Sequence, residues 1–456
     1  MEKCIAVFDI GKTNKKFFLF NTAFEVCFET QTTIPQDTDE DNHPCESIGK
    51  LKTWMQECFQ TALANKQFNI EALNFSAYGA SFVHLDANGA PITQLYNYTK
   101  PFPVELRQSF FERYGPELPF SANTGSFEAG MLNSGMQLYW LKHQHPITFK
   151  AVQYSLHLPQ YLSYLFAKRE LSDYTSVGCH TALWDFNKKK YHHWVKHEGI
   201  ASKLAPLTTS PIASTVHFEN TKIKIGVGIH DSSAALLPYL KTIAEPFLLL
   251  STGTWNVVLN PFSEGNLQPE EVAKGCLFYM QPNGEPVKAS RLYLGFEYEQ
   301  QVKALSQQFG VELDRHKNIS FNPKVYQSLK NKKAAFQWVG LTQNSSSLSD
   351  KLLYSSFEEA YHHLLMTLVD FQIEALHSAK GNTPIHQLFV EGGFSKNEIF
   401  IKLLCLSLPD MEIFSSEVAQ GSALGAALVM SDCSLTEDFL QTHYKLTKQS
   451  PPALSS

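Results

Sequence analysis

The sequence has little excess charge and no long apolar run. These absences argue against a nucleic-acid-binding protein and a membrane protein. Its 456 residues carry a formal net charge of −6, so the chain lacks the cationic field that binding to nucleic acid or an anionic membrane usually needs. No apolar stretch reaches the roughly 20 residues that cross a bilayer. The expectation is a small-molecule ligand, with neither nucleic acid nor membrane as a partner.

Cysteine spacing of the kind that binds zinc or forms a redox motif is also absent. The eight cysteines never form a C-x-x-C pair; they stand at positions 4, 27, 45, 58, 179, 276, 405 and 433. Reduced, mostly buried thiols are therefore expected. Residues 1–4 lack the charged, apolar and small-residue regions of a signal peptide, which predicts a cytoplasmic protein.

What the sequence does contain is an approximate internal repeat. An apolar run at 4–10 precedes a polar turn at 11–14 and a second apolar run at 17–20. Half a chain later, residues 247–250 precede a hydroxyl-rich turn at 251–254 and the run 255–259. Both halves read as a β-hairpin with a glycine-containing turn. The repeat predicts two related lobes, 1–243 and 244–456, that face each other across a cleft.

The two turns are suited to phosphate. Successive backbone N–H groups form a concave anion site, and short side chains let a phosphate approach closely. Two such turns across one cleft indicate a nucleoside triphosphate. The residues concerned are Gly11, Lys12, Thr13 and Asn14 in the first turn and Thr252, Gly253 and Thr254 in the second.

Two aspartates stand beside these turns. Asp9 ends the first strand, where an acid either holds Mg²⁺ through water or hydrogen-bonds to its own loop. Asp231 follows the glycine-rich strand 225–229 and opens a helix, where it either caps the helix or acts as a general base. The paired phosphate turns favour the metal and catalytic interpretations. No G-x-S-x-G pattern surrounds Ser232, which disfavours a serine hydrolase.

A third glycine turn follows the predicted strand 387–390. Gly392 and Gly393 permit close approach of a nucleoside. Ser395 and Glu398 are predicted to form a capping box at the start of a helix. Apolar residues at helical spacing predict a long amphipathic helix within 357–376, and the polar stretch 303–350 is predicted to be a surface insertion.

Five motifs in this order resemble those of the FGGY family of carbohydrate kinases, within the superfamily of sugar kinases, actin and heat-shock ATPases. They are DIGKTNK at 9–15, GIHD at 228–231, STGTW at 251–255, EGGFSKN at 391–397 and GSALGA at 421–426. The first and third are most similar to the fuculokinase and rhamnulokinase forms. The resemblance implies an α/β fold with two ribonuclease H-like (actin-like ATPase) lobes, each with a mixed sheet.

The resemblance also implies roles for particular residues. ATP would place its phosphates on the first two turns and its adenosine against Gly392, Gly393 and Asn397. Mg²⁺ would lie between Asp9, Asp231 and the phosphates, and Asp231 would accept the proton of the sugar hydroxyl. The implied sugar-binding residues are Tyr78, Gly79, Ser81, His230 and Asp231.

The motifs favour a 6-deoxy-ketohexose, such as L-fuculose or L-rhamnulose, phosphorylated at O1. Lys12, Ser81 and the pair Thr99-Lys100 depart from the family pattern, so xylulose, ribulose and glycerol stay open as acceptors. An actin-like ATPase or a sugar sensor without phosphorylation is the alternative of another class. A homodimer is compatible with the sequence, which does not reveal the oligomeric state.

Overall fold

The computed structural model of the chain describes residues 1–218, 221–334, 336–341, 354–416, 421–436 and 438–454. Within these ranges, each half of the chain builds a seven-stranded sheet with both parallel and antiparallel neighbours. In this part of the chain no helix is both long enough and apolar enough to span a membrane.

The strands are β1 (Glu2–Ile10), β2 (Lys15–Phe20), β3 (Val26–Thr32), β4 (Asp37–Thr38), β5 (Pro44–Cys45), β6 (Phe68–Ala77), β7 (Phe82–Leu85), β8 (Tyr154–His157), β9 (Ser172–Asp173), β10 (Trp184–Asp185), β11 (Lys190–Tyr191), β12 (Leu207–Thr208), β13 (Ala213–Phe218), β14 (Thr221–Gly226), β15 (Ile229–His230), β16 (Phe247–Thr252), β17 (Asn256–Asn260), β18 (Cys276–Met280), β19 (Pro286–Leu292), β20 (Gln387–Gly392), β21 (Glu412–Ser415) and β22 (Thr447–Lys448).

The helices are α1 (Ile48–Ala64), α2 (Val104–Tyr114), α3 (Glu117–Thr124), α4 (Ser134–Gln144), α5 (Pro146–Ala151), α6 (Leu158–Ala167), α7 (Tyr174–Val177), α8 (His193–His197), α9 (Asp231–Thr242), α10 (Pro269–Ala273), α11 (Leu294–Phe309), α12 (Pro323–Leu329), α13 (Phe357–Lys380), α14 (Glu398–Ser407), α15 (Gly421–Val429) and α16 (Phe439–Tyr444). Short 3₁₀ helices cover Gly130–Leu132, Ile200–Lys203, Arg315–Asn318 and Gly393–Lys396.

The internal repeat predicted from the sequence is present in the two sheets. In the first, β1 forms an antiparallel hairpin with β2 and pairs with β6 in parallel. In the second, β16 forms the hairpin with β17 and pairs with β20 in parallel. Because β1 and β16 are covered on both faces, each reads in the sequence as a nearly continuous apolar run.

The two halves meet along a third cluster of buried residues, separate from the core of each lobe. It includes Val7 and Phe18 from the first sheet, Phe247 from the second, and apolar side chains of α9 and α15. The two helices pack so closely that a Cβ on Gly425 of α15 would lie 1.8 Å from the carbonyl oxygen of Ala234 in α9. Helix α9, which begins at Asp231, is thereby fixed between the halves.

The stretch predicted to be a surface insertion is partly core. Leu305 of α11 and Leu329 of α12 are buried, and Leu305 belongs to the same cluster as the long helix α13. The prediction was wrong for this part because apolar residues at helical spacing are interspersed among polar ones. Residues 342–350 of the same stretch lie outside the described ranges. The long amphipathic helix is confirmed as α13.

Candidate active site

The strand register brings the first carboxylate to the edge where the glycine-rich strand also ends. Asp9 of β1 pairs with Ser76 of β6, and Ser76 pairs with Ile229 of β15. The carboxyl ends of parallel strands meet at one edge, so Asp9 and the end of β15 lie together. The Asp9 carboxylate accepts a hydrogen bond of 3.0 Å from the Ser422 hydroxyl. Burial raises the pKa of Asp9 to about 6, and the charge of Asp231 adds to the rise.

Asp231 is the first residue of α9, and its side chain is 35% exposed. The helix N-cap is His230 rather than Asp231. The Asp231 carboxylate accepts hydrogen bonds from the backbone N–H of Ser232 at 2.6 Å and from its hydroxyl at 3.3 Å. Burial raises the pKa of Asp231 to about 6. The residue therefore presents an anion to the cleft at neutral pH, and capping does not account for its side chain.

A polar cavity of about 250 Å³ adjoins Asp231. Its lining includes Ser251, Glu391, Gly392 and Ser422, and Asp9 reaches it through Ser422. Burial raises the pKa of Glu391 to about 7, so this cavity has a third acid that the sequence analysis did not assign. No three acidic, histidine or cysteine side chains converge on one point among the described residues. Two carboxylates with hydroxyls nearby suit a Mg²⁺ ion that keeps most of its water.

The first turn is held from behind by a buried lysine. The Gly11 N–H donates to the Asn14 carbonyl at 3.0 Å, and Thr13 and Asn14 are exposed. Lys15, only 1% exposed, donates to the carbonyls of Gly11 and Lys12 at 3.1 and 2.8 Å. The carbonyls of the turn are thereby satisfied from within the protein. Sequence analysis missed Lys15 because a lysine at the start of a strand usually faces water.

Lys12, the unusual residue of the first turn, is not a free cation. Its ammonium lies 3.2 Å from Glu46, which Lys15 also contacts at 3.2 Å. It also lies over the rings of Tyr78 and Tyr98, at 5.3 and 5.0 Å from their centroids. Burial lowers the pKa of Lys12. Lys12 thus links the first turn to the predicted sugar-binding segment.

The second and third turns are joined by Thr252. Its hydroxyl donates to the Glu391 carbonyl and accepts from the Phe394 N–H at 3.0 Å. The Thr252 side chain is therefore occupied within the protein, which leaves side-chain contact with a ligand to Thr254. A Cβ on Gly393 would meet nothing within 4 Å, and one on Gly253 only a carbonyl at 3.8 Å. Both glycines face open space of the kind a phosphate or a nucleoside needs.

A cleft of about 690 Å³ runs between these turns and α11. Gly253, Thr254, Gly393 and Asn397 line it, so four of the predicted nucleotide-binding residues are together. The remaining lining side chains, which the sequence analysis did not assign, include Tyr298, His316, Lys317, Ile319 and Tyr361. The cleft has the size of a nucleotide site, and the stretch predicted to be an insertion supplies one of its walls.

The predicted capping box in this region is wrong. The N-cap of α14 is Asn397, whose side-chain oxygen accepts from the Phe400 N–H at 3.1 Å. Its amide donates to the Tyr361 hydroxyl at 2.9 Å. Ser395 instead donates to the carbonyls of Gly392 and Ser416. The extra 3₁₀ turn at Gly393–Lys396 delays the helix, which local sequence spacing did not indicate.

The predicted sugar-binding residues lie beside the end of β15. Gly79 packs against His230, because a Cβ on Gly79 would lie 3.0 Å from the imidazole. The His230 Nε2 atom lies 3.2 Å from Asp231 and 3.0 Å from the Cys179 sulfur. Burial lowers the pKa of His230 to about 3, so its ring is neutral at pH 7. Tyr78 and Ser81 are buried in the same segment.

His180 is a further residue of this region that the sequence analysis missed. It follows Cys179 and has a backbone φ of +39°, a conformation that non-glycine residues seldom adopt and that clusters at functional sites. Burial lowers the pKa of His180 to about 3, and the nearby charge of Arg291 contributes. No local sequence pattern indicated that His180 or Arg291 lies in this region.

Lys100, another departure from the family pattern, has a partner within the protein. Its side chain is 4% exposed and lies 2.6 Å from Asp39, whose side chain is fully buried, and 2.7 Å from Asp41. It also lies over the Trp140 ring, 4.7 Å from the centroid. Lys100 therefore holds the segment around residue 39 in place. Its charge is neutralised by these two aspartates, so no contact with a sugar is needed to explain its burial.

Two lobes of related topology with two facing phosphate-type turns define the fold of the actin-like ATPases and sugar kinases. Two family models match the chain: the N-terminal domain of the FGGY family of carbohydrate kinases over residues 4–230, and the FGGY carbohydrate kinase C-terminal domain over residues 244–438. The chain belongs to the FGGY family of carbohydrate kinases.

Curated relatives are distant. A rhamnulokinase from Halalkalibacterium halodurans is 23% identical over 219 residues, covering 46% of this chain and 45% of the relative. A rhamnulokinase from Oceanobacillus iheyensis is 21% identical over 270 residues, covering 57% and 56%. The match thus spans about half the length of these relatives.

Solved structures resemble the chain over nearly its whole length. A carbohydrate kinase from Novosphingobium aromaticivorans superposes with a TM-score of 0.82 at 19% identity, covering 99% of this chain and 95% of the other. A xylulose kinase from Rhodospirillum rubrum gives 0.81 at 14% identity, covering 98% and 94%. At these identities the likeness establishes the fold.

Proposed function

We propose that the protein transfers the terminal phosphoryl group of ATP to a hydroxyl of a small sugar, with Asp231 as the general base. The observation that supports this most is the position of the Asp231 carboxylate. It is partly exposed at the junction of the halves, with His230 on one side and the cavity lined by Glu391 and Ser422 on the other. An acid between a candidate sugar pocket and a candidate metal cavity suits deprotonation of an acceptor.

The protein's own groups have a limited chemical task in such a reaction. Bound Mg²⁺-ATP would supply the phosphoryl group and neutralise its charge, and Asp9 with Asp231 would hold the ion. Asp231, ionised at neutral pH, accepts the hydroxyl proton. His230, held neutral, offers a hydrogen bond without competing for the proton. The turns at 11–14 and 252–254 orient the phosphates, and positioning supplies most of the rate.

For the acceptor we propose a ketose such as L-fuculose or L-rhamnulose, phosphorylated at O1. The names of the curated relatives, which are rhamnulokinases, support this choice. Solved relatives described as xylulose and glycerol kinases keep those acceptors as alternatives. One hydroxyl or methyl group changes acceptor preference by only a few kcal/mol.

The test is a coupled assay of ADP release over L-fuculose, L-rhamnulose, D-xylulose, L-ribulose, D-ribulose and glycerol. We expect release that depends on one of these acceptors and falls at least about 100-fold in Asp231→Asn. In wild type, kcat/KM should fall at least about tenfold per pH unit below pH 6, because Asp231 must be ionised. The exposed Asp410→Asn is the matched control. Sugar-independent ADP release, or near-normal turnover by Asp231→Asn, would contradict the proposal.

A further inference from the structure

Arg291 places a guanidinium at the junction of the two halves without an acid to neutralise it. The residue lies near the end of β19 and is partly buried. Its Cζ atom lies 3.1 Å from the centroid of the Phe127 ring and 4.5 Å from that of Trp255. Within the described ranges its side chain forms no ion pair and no hydrogen bond; its neighbours are aromatic faces. An arginine so placed usually pairs with a carboxylate or a phosphate.

The contacts around Arg291 lead to the catalytic aspartate. Its charge acts on His180 and Tyr279. The Tyr279 ring stacks on that of His230, with centroids 5.6 Å apart and planes 17° apart. The Phe127 ring beneath Arg291 lies 6.3 Å from the His180 ring, which in turn lies 6.1 Å from that of Tyr279. Arg291 therefore belongs to an aromatic cluster whose last two rings, Tyr279 and His230, lead to the proposed base. An acceptor bound at Asp231 that reached across these rings would meet the guanidinium.

The donors of Arg291 are available for a ligand. The Phe127 and Trp255 rings lie against the guanidinium, and the guanidinium N–H groups have no hydrogen-bond partner among the described residues. Burial lowers the pKa of Arg291 to about 10, so the group is still charged at neutral pH. Unfilled donors of a partly buried cation are costly. The planar fork fits two adjacent oxygen atoms, as on neighbouring carbons of a sugar or in one carboxylate.

We propose that Arg291 determines acceptor specificity by donating two hydrogen bonds to adjacent oxygen atoms of the acceptor. The inference rests on the proposed function and narrows its substrate class to acceptors with such an oxygen pair. Glycerol has one such pair beyond the reacting hydroxyl, whereas a ketose has several. A sugar acid, whose carboxylate offers the same oxygen pair with a negative charge, is expected to bind as a competitor of the neutral sugar.

The experiment measures binding without turnover. Isothermal titration gives the Kd of wild type, Arg291→Gln and Arg291→Lys for each sugar of the panel above and for gluconate and ribonate, and then for Mg²⁺-ADP. Losing hydrogen bonds from a charged donor should weaken acceptor and sugar-acid binding about 10- to 100-fold in Arg291→Gln, with the Kd of Mg²⁺-ADP unchanged. Arg291→Lys retains the charge but not the fork, so it should lose affinity as well. The exposed Arg169→Gln is the control.

Three results would overturn the inference: unchanged acceptor affinity in both variants, equal loss of Mg²⁺-ADP affinity, or no binding of any panel compound to wild type. If Arg291→Gln does not fold, Arg291→Lys alone decides, because it keeps a positive charge next to both rings. The proposed function is judged separately by ADP release. Binding of acceptors through Arg291 without acceptor-dependent ADP release from any compound of the panel refutes the kinase proposal alone, and turnover that is insensitive to Arg291 refutes this inference alone.

Discussion

Replacing Glu391 by glutamine should stabilise the protein, and only at pH values where the glutamate of the unfolded chain is ionised. Glu391 is 7% exposed. Its carboxylate lies 3.4 Å from the Tyr239 hydroxyl, and no cation neutralises it among the described residues. Burial raises its pKa from 4.5 to about 7. The native state therefore disfavours the ionised form, which the unfolded chain adopts freely.

The sign and size of the effect follow from proton linkage. Below pH 4.5 the Glu391 carboxyl is mostly protonated in both the native and the unfolded state, so it does not lower the free energy of unfolding. As the pH rises from 4.5 to 7, the unfolded chain releases the proton while the native state retains it, so stability falls; above pH 7 the loss is complete. A shift from 4.5 to about 7 corresponds to about 3 kcal/mol at pH 8, against less than about 1 kcal/mol at pH 5. Glutamine removes this loss and keeps a similar shape.

Urea unfolding of wild type and Glu391→Gln at pH 5 and pH 8, with EDTA present, measures the difference. Glu412→Gln is the matched control, because Glu412 is exposed beside Lys448 and its pKa is lowered. That variant should lose a little stability rather than gain it. If Glu391→Gln changed the free energy of unfolding equally at both pH values, or were less stable than wild type at pH 8, the conclusion that burial disfavours the Glu391 carboxylate would be refuted.

Two further predictions concern the turns and the buried ion pair. Gly392 has φ of +86°, and a Cβ added there would lie 1.9 Å from the Thr252 carbonyl oxygen. Gly392→Ala should therefore cost about 1–3 kcal/mol of unfolding free energy. Gly393→Ala is the control, because a Cβ at Gly393 meets nothing within 4 Å, and equal losses in the two variants would contradict the steric argument. Lys100→Met should cost about 3–5 kcal/mol by leaving the buried Asp39 unpaired. Thermal unfolding should show a much smaller effect for Lys50→Met, which breaks an exposed pair; similar effects would count against the ion-pair argument.

Much of the fold could be predicted from sequence because it depends on local patterns. The apolar runs around residues 4–10 and 247–250 specify strands, and the polar turns after them specify hairpins. The half-chain separation of these hairpins indicated two related lobes, and the order of five motifs indicated the family. These features are set by periodicity and by backbone conformation, which neighbouring residues determine.

The partners of individual side chains could not be predicted from the sequence in the same way. Ser422 contacts Asp9 across 413 positions of the chain, and Thr252 uses its hydroxyl to hold the third turn rather than a ligand. Lys15 reads as a surface residue in the sequence, yet it is buried beneath the first turn. The capping box at Ser395 failed because a 3₁₀ turn precedes the helix. Each of these outcomes depends on packing between distant segments, which no local pattern encodes.

The sequence by itself determined the paired phosphate-type turns, the two lobes and the acids at strand ends, since each is written in a few consecutive residues. Only the tertiary structure decided which groups share a cavity with Asp231. It added Glu391 to the acids of this cavity. It also gave Lys12 and Lys100 partners within the protein. The reason is physical: charge and burial depend on what surrounds a side chain, and the surroundings here come from both lobes.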